Sequence, residues 1–255
     1  MKMHILPDAK AMGAAAAKEI AQVLREAIEQ DGEARIVVST GESQFTMFEA
    51  LVQEALDWKK VEMFHLDEYV GISDEHPASF RKYLRERFIE KAGIEKYHFV
   101  EADPQCIPAL TDLLRERPVH LGLIGIGRNG HIAFNDPPAD FETDEAYIVV
   151  TLDRACRMQQ VAEGWYPDIE SVPAQAISMS CRQIMACKKI ISVVPYAEKA
   201  DAVAATLKNP VTNTVPATLM KTHADFVLYC DADSAAKADL EHIVMPEGRT
   251  AEVFR

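Results

Sequence analysis

From residue 3 to residue 126, short apolar runs alternate with longer segments whose apolar residues recur every three or four positions, and few architectures accommodate that rhythm. A strand over Met3–Leu6 leads to Asp8, a residue suited to capping a helix. Met12, Ala16, Ile20, Val23, Leu24 and Ile28 then share one face of that helix until Gly32 stops it. A buried strand over Arg35–Ser39 follows. The pattern next predicts a helix from about Ser43 to Leu56, a strand over 61–67, a helix from Ser79 to Lys91 ended by Gly93, a strand over 97–101, a helix within 105–117 and a strand over 120–126. Continuous apolar strands separated by helices belong in a parallel sheet covered on both faces. The expected fold class is therefore α/β, a Rossmann-like three-layer α/β/α sandwich with a mostly parallel sheet.

Past residue 126 the pattern is less regular. A strand over Tyr147–Leu152, an irregular stretch from Arg154 to Pro167 and a helix near Ser180–Cys187 are read first. Strands over Lys189–Val194 and Asp225–Cys230 then flank a helix from about Ala197 to Leu207 and a short one from Val215 to Lys221. No repeat, low-complexity segment or linker divides the chain, and its 255 residues suit a single domain spanning 1–255.

Two strand ends carry residues of chemical interest. The strand at 120–126 runs into a turn with Gly125, Gly127 and Gly130, which presents Asn129, His131 and Asp136 together. Glycines let the backbone turn sharply and let a ligand approach closely, and the carboxyl ends of strands are where α/β sheets bind ligands. A hydrogen-bonded structural histidine is the plainer reading of His131 taken alone. At the other strand end, Asp67 and Glu68 follow Leu66. Adjacent strand residues face opposite ways, so one carboxylate is expected in the crevice while the other caps, pairs or meets solvent. By itself this pair also fits a turn with a helix cap.

Charge narrows the partners. With 27 basic against 40 acidic residues the net charge is −13, which argues against a nucleic-acid or membrane surface. A phosphorylated ligand would need local cations against that field. The five cysteines, at 106, 156, 181, 187 and 230, show no Cys-x-x-Cys spacing and read as reduced thiols in a cytoplasmic protein without disulfides. No signal peptide or membrane span is expected.

Leu-Asp-Glu-Tyr-Val-Gly at 66–71, His76-Pro-Ala-Ser-Phe80, and Gly-Ile-Gly-Arg-Asn-Gly-His-Ile-Ala-Phe-Asn-Asp-Pro at 125–137 occur in this order. Together with Val172-Pro-Ala-Gln-Ala-Ile-Ser178 they resemble the glucosamine-6-phosphate deaminase (isomerase) family along nearly the whole chain. The resemblance implies conversion of glucosamine 6-phosphate to fructose 6-phosphate and ammonia, with no metal and no cofactor. It implies a small phosphorylated amino sugar as partner, no nucleic acid and no membrane, with self-association into a homo-oligomer left open.

The resemblance also assigns roles. Asp67 matches the base that moves a proton between C2 and C1, and His131 matches the ring-opening acid/base, a task suited to a side chain whose ordinary pKa is about 6.5. Glu68 is expected to be structural, capping the next turn or fixing the loop through Tyr69. Asn129 and Asp136 stand where the best-studied pattern has aspartate and glutamate. Asn129 is expected to hold the imidazole without adding charge, and Asp136, one methylene shorter, either draws the loop inward or leaves a gap for water.

For the phosphate, the turn Ser39-Thr-Gly-Glu-Ser43 departs from the family's usual Thr-Gly-Gly/Ser-Thr-Pro. Thr40, Gly41 and Ser43 are expected to make the contacts, with Glu42 turned to solvent, and Lys199 matches the family's phosphate lysine. The family's phosphate arginine has no counterpart, since its position falls near Ala162 and Glu163; Arg157 or Arg154 is expected to take over. The segment Cys156–Tyr166 reads either as a lid over the sugar or as a loop whose Trp165 packs on the sheet. The acidic run Ala139–Glu145 replaces basic residues found in regulated relatives, so unregulated kinetics are expected. Alternatives are a 6-phosphogluconolactonase-type hydrolase, a galactosamine-6-phosphate isomerase and a non-catalytic sugar-phosphate sensor. Tyr69 and Phe134-Asn-Asp-Pro137 favour the deaminase over the lactonase.

Overall fold

The chain enters through β1 (Lys2–Leu6) and turns at Asp8, whose carboxylate accepts from the Ala11 amide at 2.8 Å and caps α1 (Ala9–Asp31). A computed structural model describes residues 1–162 and 164–255. After β2 (Ala34–Val38) a 3₁₀ turn at Glu42–Gln44 leads into α2 (Phe45–Leu51). This helix stops five residues before the expected end, because the Gln53 and Glu54 amides turn back three residues to Ala50 and Leu51. Then come β3 (Val61–His65), β4 (Asp67–Tyr69), α3 (Phe80–Leu84), a π-helical turn (Arg85–Ile89) and α4 (Glu90–Ala92). The next elements are β5 (Lys96–His98), α5 (Ile107–Arg115), β6 (Leu121–Leu123) and β7 (Tyr147–Thr151). The chain finishes with α6 (Arg154–Ala162), β8 (Gln175–Met179), α7 (Cys181–Ile184), β9 (Lys189–Val194), α8 (Ala200–Lys208), a 3₁₀ segment (Pro216–Thr222), β10 (Phe226–Asp231) and β11 (Glu252–Phe254).

Eight strands form one sheet in the order β11-β1-β10-β9-β6-β2-β3-β5, with every pairing parallel. Side chains alternate between its faces. Ile36, Val38 and Met63 pack with Met12, Ile20 and Leu24 of α1 and Phe48 of α2, whereas Val37 and Phe64 pack with Leu114 of α5 and Val203 of α8. The three-layer α/β/α sandwich is thereby as expected. Arg35 and Glu62 interrupt the second face. They pair at 2.7 Å, nearly sealed from solvent, and the guanidinium lies over the Phe64 ring.

The expected strand over 61–67 is two strands. The Leu66 carbonyl accepts from the Met179 amide at 2.9 Å, and the Tyr147 hydroxyl donates to the His65 carbonyl at 2.9 Å, so the chain leaves the large sheet after His65. Residues 67–69 then join a three-stranded antiparallel sheet, β4-β8-β7, with Asp67 opposite Ser178. Neither β8 nor β11 is expected from the periodicity. The stretch after Arg154 is also not irregular: Asp153 accepts from the Cys156 amide at 2.7 Å and caps α6. This helix buries Cys156 and Val161 against a third core of Tyr69, Phe134, Leu152, Tyr166 and Val172.

β2 and β6 are neighbours, yet the chain leaves β2 toward β3 and leaves β6 toward β9. That reversal opens a crevice at the carboxyl ends of the strands.

Candidate active site

A cavity of about 620 Å³ occupies this crevice. Thr40, Gly41 and Ser43 enter it after β2, Asp67 from β4, His131 from the turn after β6, and Lys199 from the turn after β9. The large sheet and its small antiparallel neighbour thus deliver one group each to a common space, the imidazole and the Asp67 carboxyl.

Asp67 and Glu68 diverge as expected. Asp67 lines the cavity, and among the described residues no hydrogen bond reaches its carboxylate. Burial, and then the neighbouring Glu68 carboxylate, push its pKa up to about 8. Glu68 is fully buried on the other side, where it accepts from the amides of Tyr69, Phe80 and Arg81 and from the Ser79 hydroxyl at 3.0, 3.2, 3.0 and 2.9 Å. It therefore caps α3, and Arg81 ties it to Glu101.

The glycine turn is shaped around His131. A Cβ on Gly127 would stand 2.2 Å from His131 Nε2, so only glycine lets the imidazole lie there. Gly130 has φ +82°, a left-handed conformation that glycine adopts without strain. His131 Nδ1 lies 2.9 Å from Asp136 Oδ1. Asp136 accepts from Asn129 Nδ2 at 2.9 Å, also through Oδ1. Burial alone would raise its pKa, but the bonds from His131, Asn129 and the Cys156 thiol outweigh that and hold it below the ordinary carboxylate value. An ionised Asp136 fixes the proton on Nδ1 and leaves Nε2 to exchange a proton with a ligand.

One expectation about this cluster is corrected. Asn129 makes no hydrogen bond to the imidazole; its Oδ1 accepts from the His131 amide at 3.1 Å while its Nδ2 holds Asp136. Of the two alternatives for the shorter Asp136, the direct contact with Nδ1 fits the loop drawn inward and not the gap for water.

Around the 40–43 turn, the Ser39 hydroxyl accepts from the Gly125 amide at 3.1 Å and Gln44 donates to the Val193 carbonyl, so this loop sits between the ends of β6 and β9. Glu42 is exposed at the rim, as expected, while the helix behind the turn has only seven residues. Lys199 donates to the Ile126 carbonyl at 3.0 Å. Arg157 is not in the cavity wall: α6 turns its guanidinium toward the Ile169 carbonyl. Glu163, considered for the missing arginine's position, lies outside the described residues. The cavity wall does contain Arg128, Arg87 and Lys82, which the sequence reading passed over. Arg128 stands inside the glycine turn itself, a position that could have drawn attention. Trp165 and Gln160 border the cavity, while Tyr166 packs in the small core.

Among the described residues no three His, Cys, Asp or Glu side chains are grouped to hold a metal ion, and no helix is long and apolar enough to cross a membrane.

Known proteins resemble this chain in sequence and in fold. A family model for glucosamine-6-phosphate isomerases/6-phosphogluconolactonase matches residues 7–228. A glucosamine-6-phosphate deaminase from Oenococcus oeni is 31% identical over 219 residues, 84% of this chain and 91% of that protein. The solved structure of a monomeric glucosamine-6-phosphate deaminase superposes with a TM-score of 0.84 at 26% identity, covering 93% of this chain and all of that one, 100%. A 6-phosphogluconolactonase from Shewanella baltica shares the fold, with a TM-score of 0.74 at 19% identity over 91% of this chain and 98% of its own. The chain belongs to the glucosamine-6-phosphate isomerase/6-phosphogluconolactonase family.

Proposed function

We propose that this chain is a glucosamine-6-phosphate deaminase, converting the amino-sugar phosphate and water to fructose 6-phosphate and ammonia. The observation that carries this reading is the pairing, across one cavity, of a solitary buried carboxyl at Asp67 with a histidine whose Nδ1 is committed to Asp136. His131 Nε2 moves the proton that opens the pyranose, giving the free aldehyde at C1. Asp67 then takes the proton from C2 and returns it to C1. The resulting C2 imine adds water and releases ammonia, leaving the ketone.

The high proton affinity of Asp67 suits this chemistry, because abstraction from carbon demands a stronger base than an ordinary aspartate. It also makes the substrate's amine part of the mechanism: an ammonium at C2 beside the carboxyl favours its ionised form. Lactone hydrolysis has no use for such a carbon base, which separates the deaminase reading from the lactonase branch of the family. Thr40, Gly41, Ser43 and Lys199 hold the phosphate in this reading.

Incubation with glucosamine 6-phosphate, following ammonia and fructose 6-phosphate together, tests it. Equal release of both supports a deaminase. Binding without turnover would mark a sensor, and turnover of 6-phosphogluconolactone alone would mark a hydrolase.

A further inference from the structure

We infer that Arg128, in the glycine turn, is the guanidinium that takes the substrate's phosphate, in place of the expected Arg157 or Arg154. The inference rests on the deaminase reading for the identity of the substrate, but the phosphate contact stands on the geometry of the cavity.

A phosphate monoester brings close to two negative charges into a protein whose net charge is −13, so cations in the cavity wall have to supply its attraction. Arg157 is directed at the Ile169 carbonyl, away from the cavity. Among the described residues two arginines, Arg87 and Arg128, do line it. The guanidinium of Arg87 is stacked on Phe45, 3.8 Å from the ring centroid, and lies over Tyr83 as well, at the outer side of the 40–43 turn. Arg128 is half-exposed at the cavity, with Glu198 at 3.6 Å, a loose contact that tethers it next to Lys199. Lys199 in turn holds the Ile126 carbonyl, two residues before Arg128. Arg128, Lys199 and the 40–43 turn thus converge where β2, β6 and β9 end side by side. A planar fork and a point charge on one phosphate are a complementary pair of donors.

The covalent structure of the substrate supports the same placement. The ring oxygen is bonded to C1 and to C5, and C5 carries C6 and its phosphate, whereas C2 is separated from C5 by C1 and the ring oxygen. The group that protonates the ring oxygen must therefore sit nearer the phosphate than the base that works at C2. Arg128 and His131 are three residues apart on one turn, while Asp67 enters from the other sheet. One loop then sets the distance between the anchored phosphate and the bond that opens.

The test compares Arg128→Gln, Arg128→Lys, Arg87→Gln and Arg157→Gln in the full chain. Steady-state kinetics with glucosamine 6-phosphate are joined by calorimetric titration with 2-amino-2-deoxyglucitol 6-phosphate, an open-chain analogue, and with its dephosphorylated form. Arg128→Gln is expected to raise KM and weaken the phosphorylated analogue roughly 10- to 100-fold, the loss of a charge-assisted hydrogen bond, with kcat little changed. Arg128→Lys should recover part of that loss. The preference for the phosphorylated over the dephosphorylated analogue should shrink in Arg128→Gln and stay intact in Arg157→Gln. Equal weakening of both analogues by Arg128→Gln, or a loss of preference confined to Arg87→Gln, would overturn the assignment. If no ammonia is released by the parent protein, the deaminase reading fails, while the same preference measured with glucose 6-phosphate and glucose still decides the role of Arg128.

Discussion

His131 and Asp136 face each other within one turn of chain, Nδ1 and Oδ1 2.9 Å apart, and the same carboxylate oxygen is shared with Asn129. The imidazole is therefore oriented from behind by a charge, and Asn129 supports it through that charge and through the His131 amide. Asp136→Asn keeps the shape but allows the wrong tautomer. We expect kcat for glucosamine 6-phosphate to fall by roughly 10²–10⁴-fold with KM little changed, as for other His–Asp pairs. Asn129→Ala should cost less, because Asp136 retains its bond to the ring. Equal losses in the two variants, measured by ammonia release, would contradict this hierarchy.

Asp67→Asn should abolish exchange of the C2 hydrogen with solvent deuterium while leaving binding of an open-chain analogue measurable, since an amide keeps the shape but cannot accept that proton. Exchange at the parent rate would remove Asp67 as the base.

The pH dependence follows from the same carboxyl. The free protein must lose the proton from Asp67, so kcat/KM should rise with pH to a midpoint near its pKa of about 8. The corresponding limb of kcat should lie lower, because bound substrate places an ammonium beside the carboxylate. Stability changes in the opposite sense. The folded state holds this proton between the ordinary value of 3.8 and about 8 while the unfolded chain has released it. Relative to Asp67→Asn, the parent should therefore lose stability across that window by at most about 1.4 kcal/mol per pH unit. Denaturant unfolding of both proteins at several pH values measures the difference, and parallel profiles would contradict the assignment.

Much of this fold is legible from residue spacing alone. The strand at Lys189–Val194 and the capped first helix read directly, because in each the apolar pattern and the end signals agree. The break after His65 does not, since Val61 to Tyr69 is buried throughout and the change of sheet depends on Met179, over a hundred residues later. The helix after Asp153 is hard to read because Arg157 and Gln160 interrupt its apolar pattern, although Asp153 is a visible cap. Asp67, His131, Lys199 and the 40–43 turn converge as the motifs imply, whereas Arg157 is carried elsewhere by a helix that the spacing did not reveal.

Gly127→Ala tests the close approach in the turn. The added methyl group would overlap Nε2, so the ring must swing away from its proton-transfer position. Activity should drop steeply while the thermal unfolding midpoint moves only a few degrees. A variant that unfolds before it loses activity would show that the contact matters for folding instead.

A buried pair away from the cavity offers a control on stability. Glu62→Gln leaves the Arg35 guanidinium inside the protein without its carboxylate, although the Leu113, Leu114 and Arg117 carbonyls still accept from it. We expect about 3–5 kcal/mol of destabilisation by denaturant unfolding, the cost of stranding one partner of a buried pair, with kcat unchanged in the fraction that remains folded. A loss below 1 kcal/mol, roughly what an exposed pair contributes, would mean that the remaining carbonyls suffice.

The change of sheet after His65 makes the candidate site a joint between two sheets. Asp67 travels with the small antiparallel sheet and His131 with the large parallel one, and the seam is stitched by the Phe134 amide on the Ser178 hydroxyl at 3.1 Å and by Asn135 on the Met179 carbonyl at 2.9 Å. These stitches join the turn that carries His131 to the strand that pairs with Asp67, so on the proposed roles they set the span between carbon base and ring-opening acid. Evolution could then retune the site for a sugar of different girth by changing the seam, with every residue of the 66–71 and 125–137 motifs left in place.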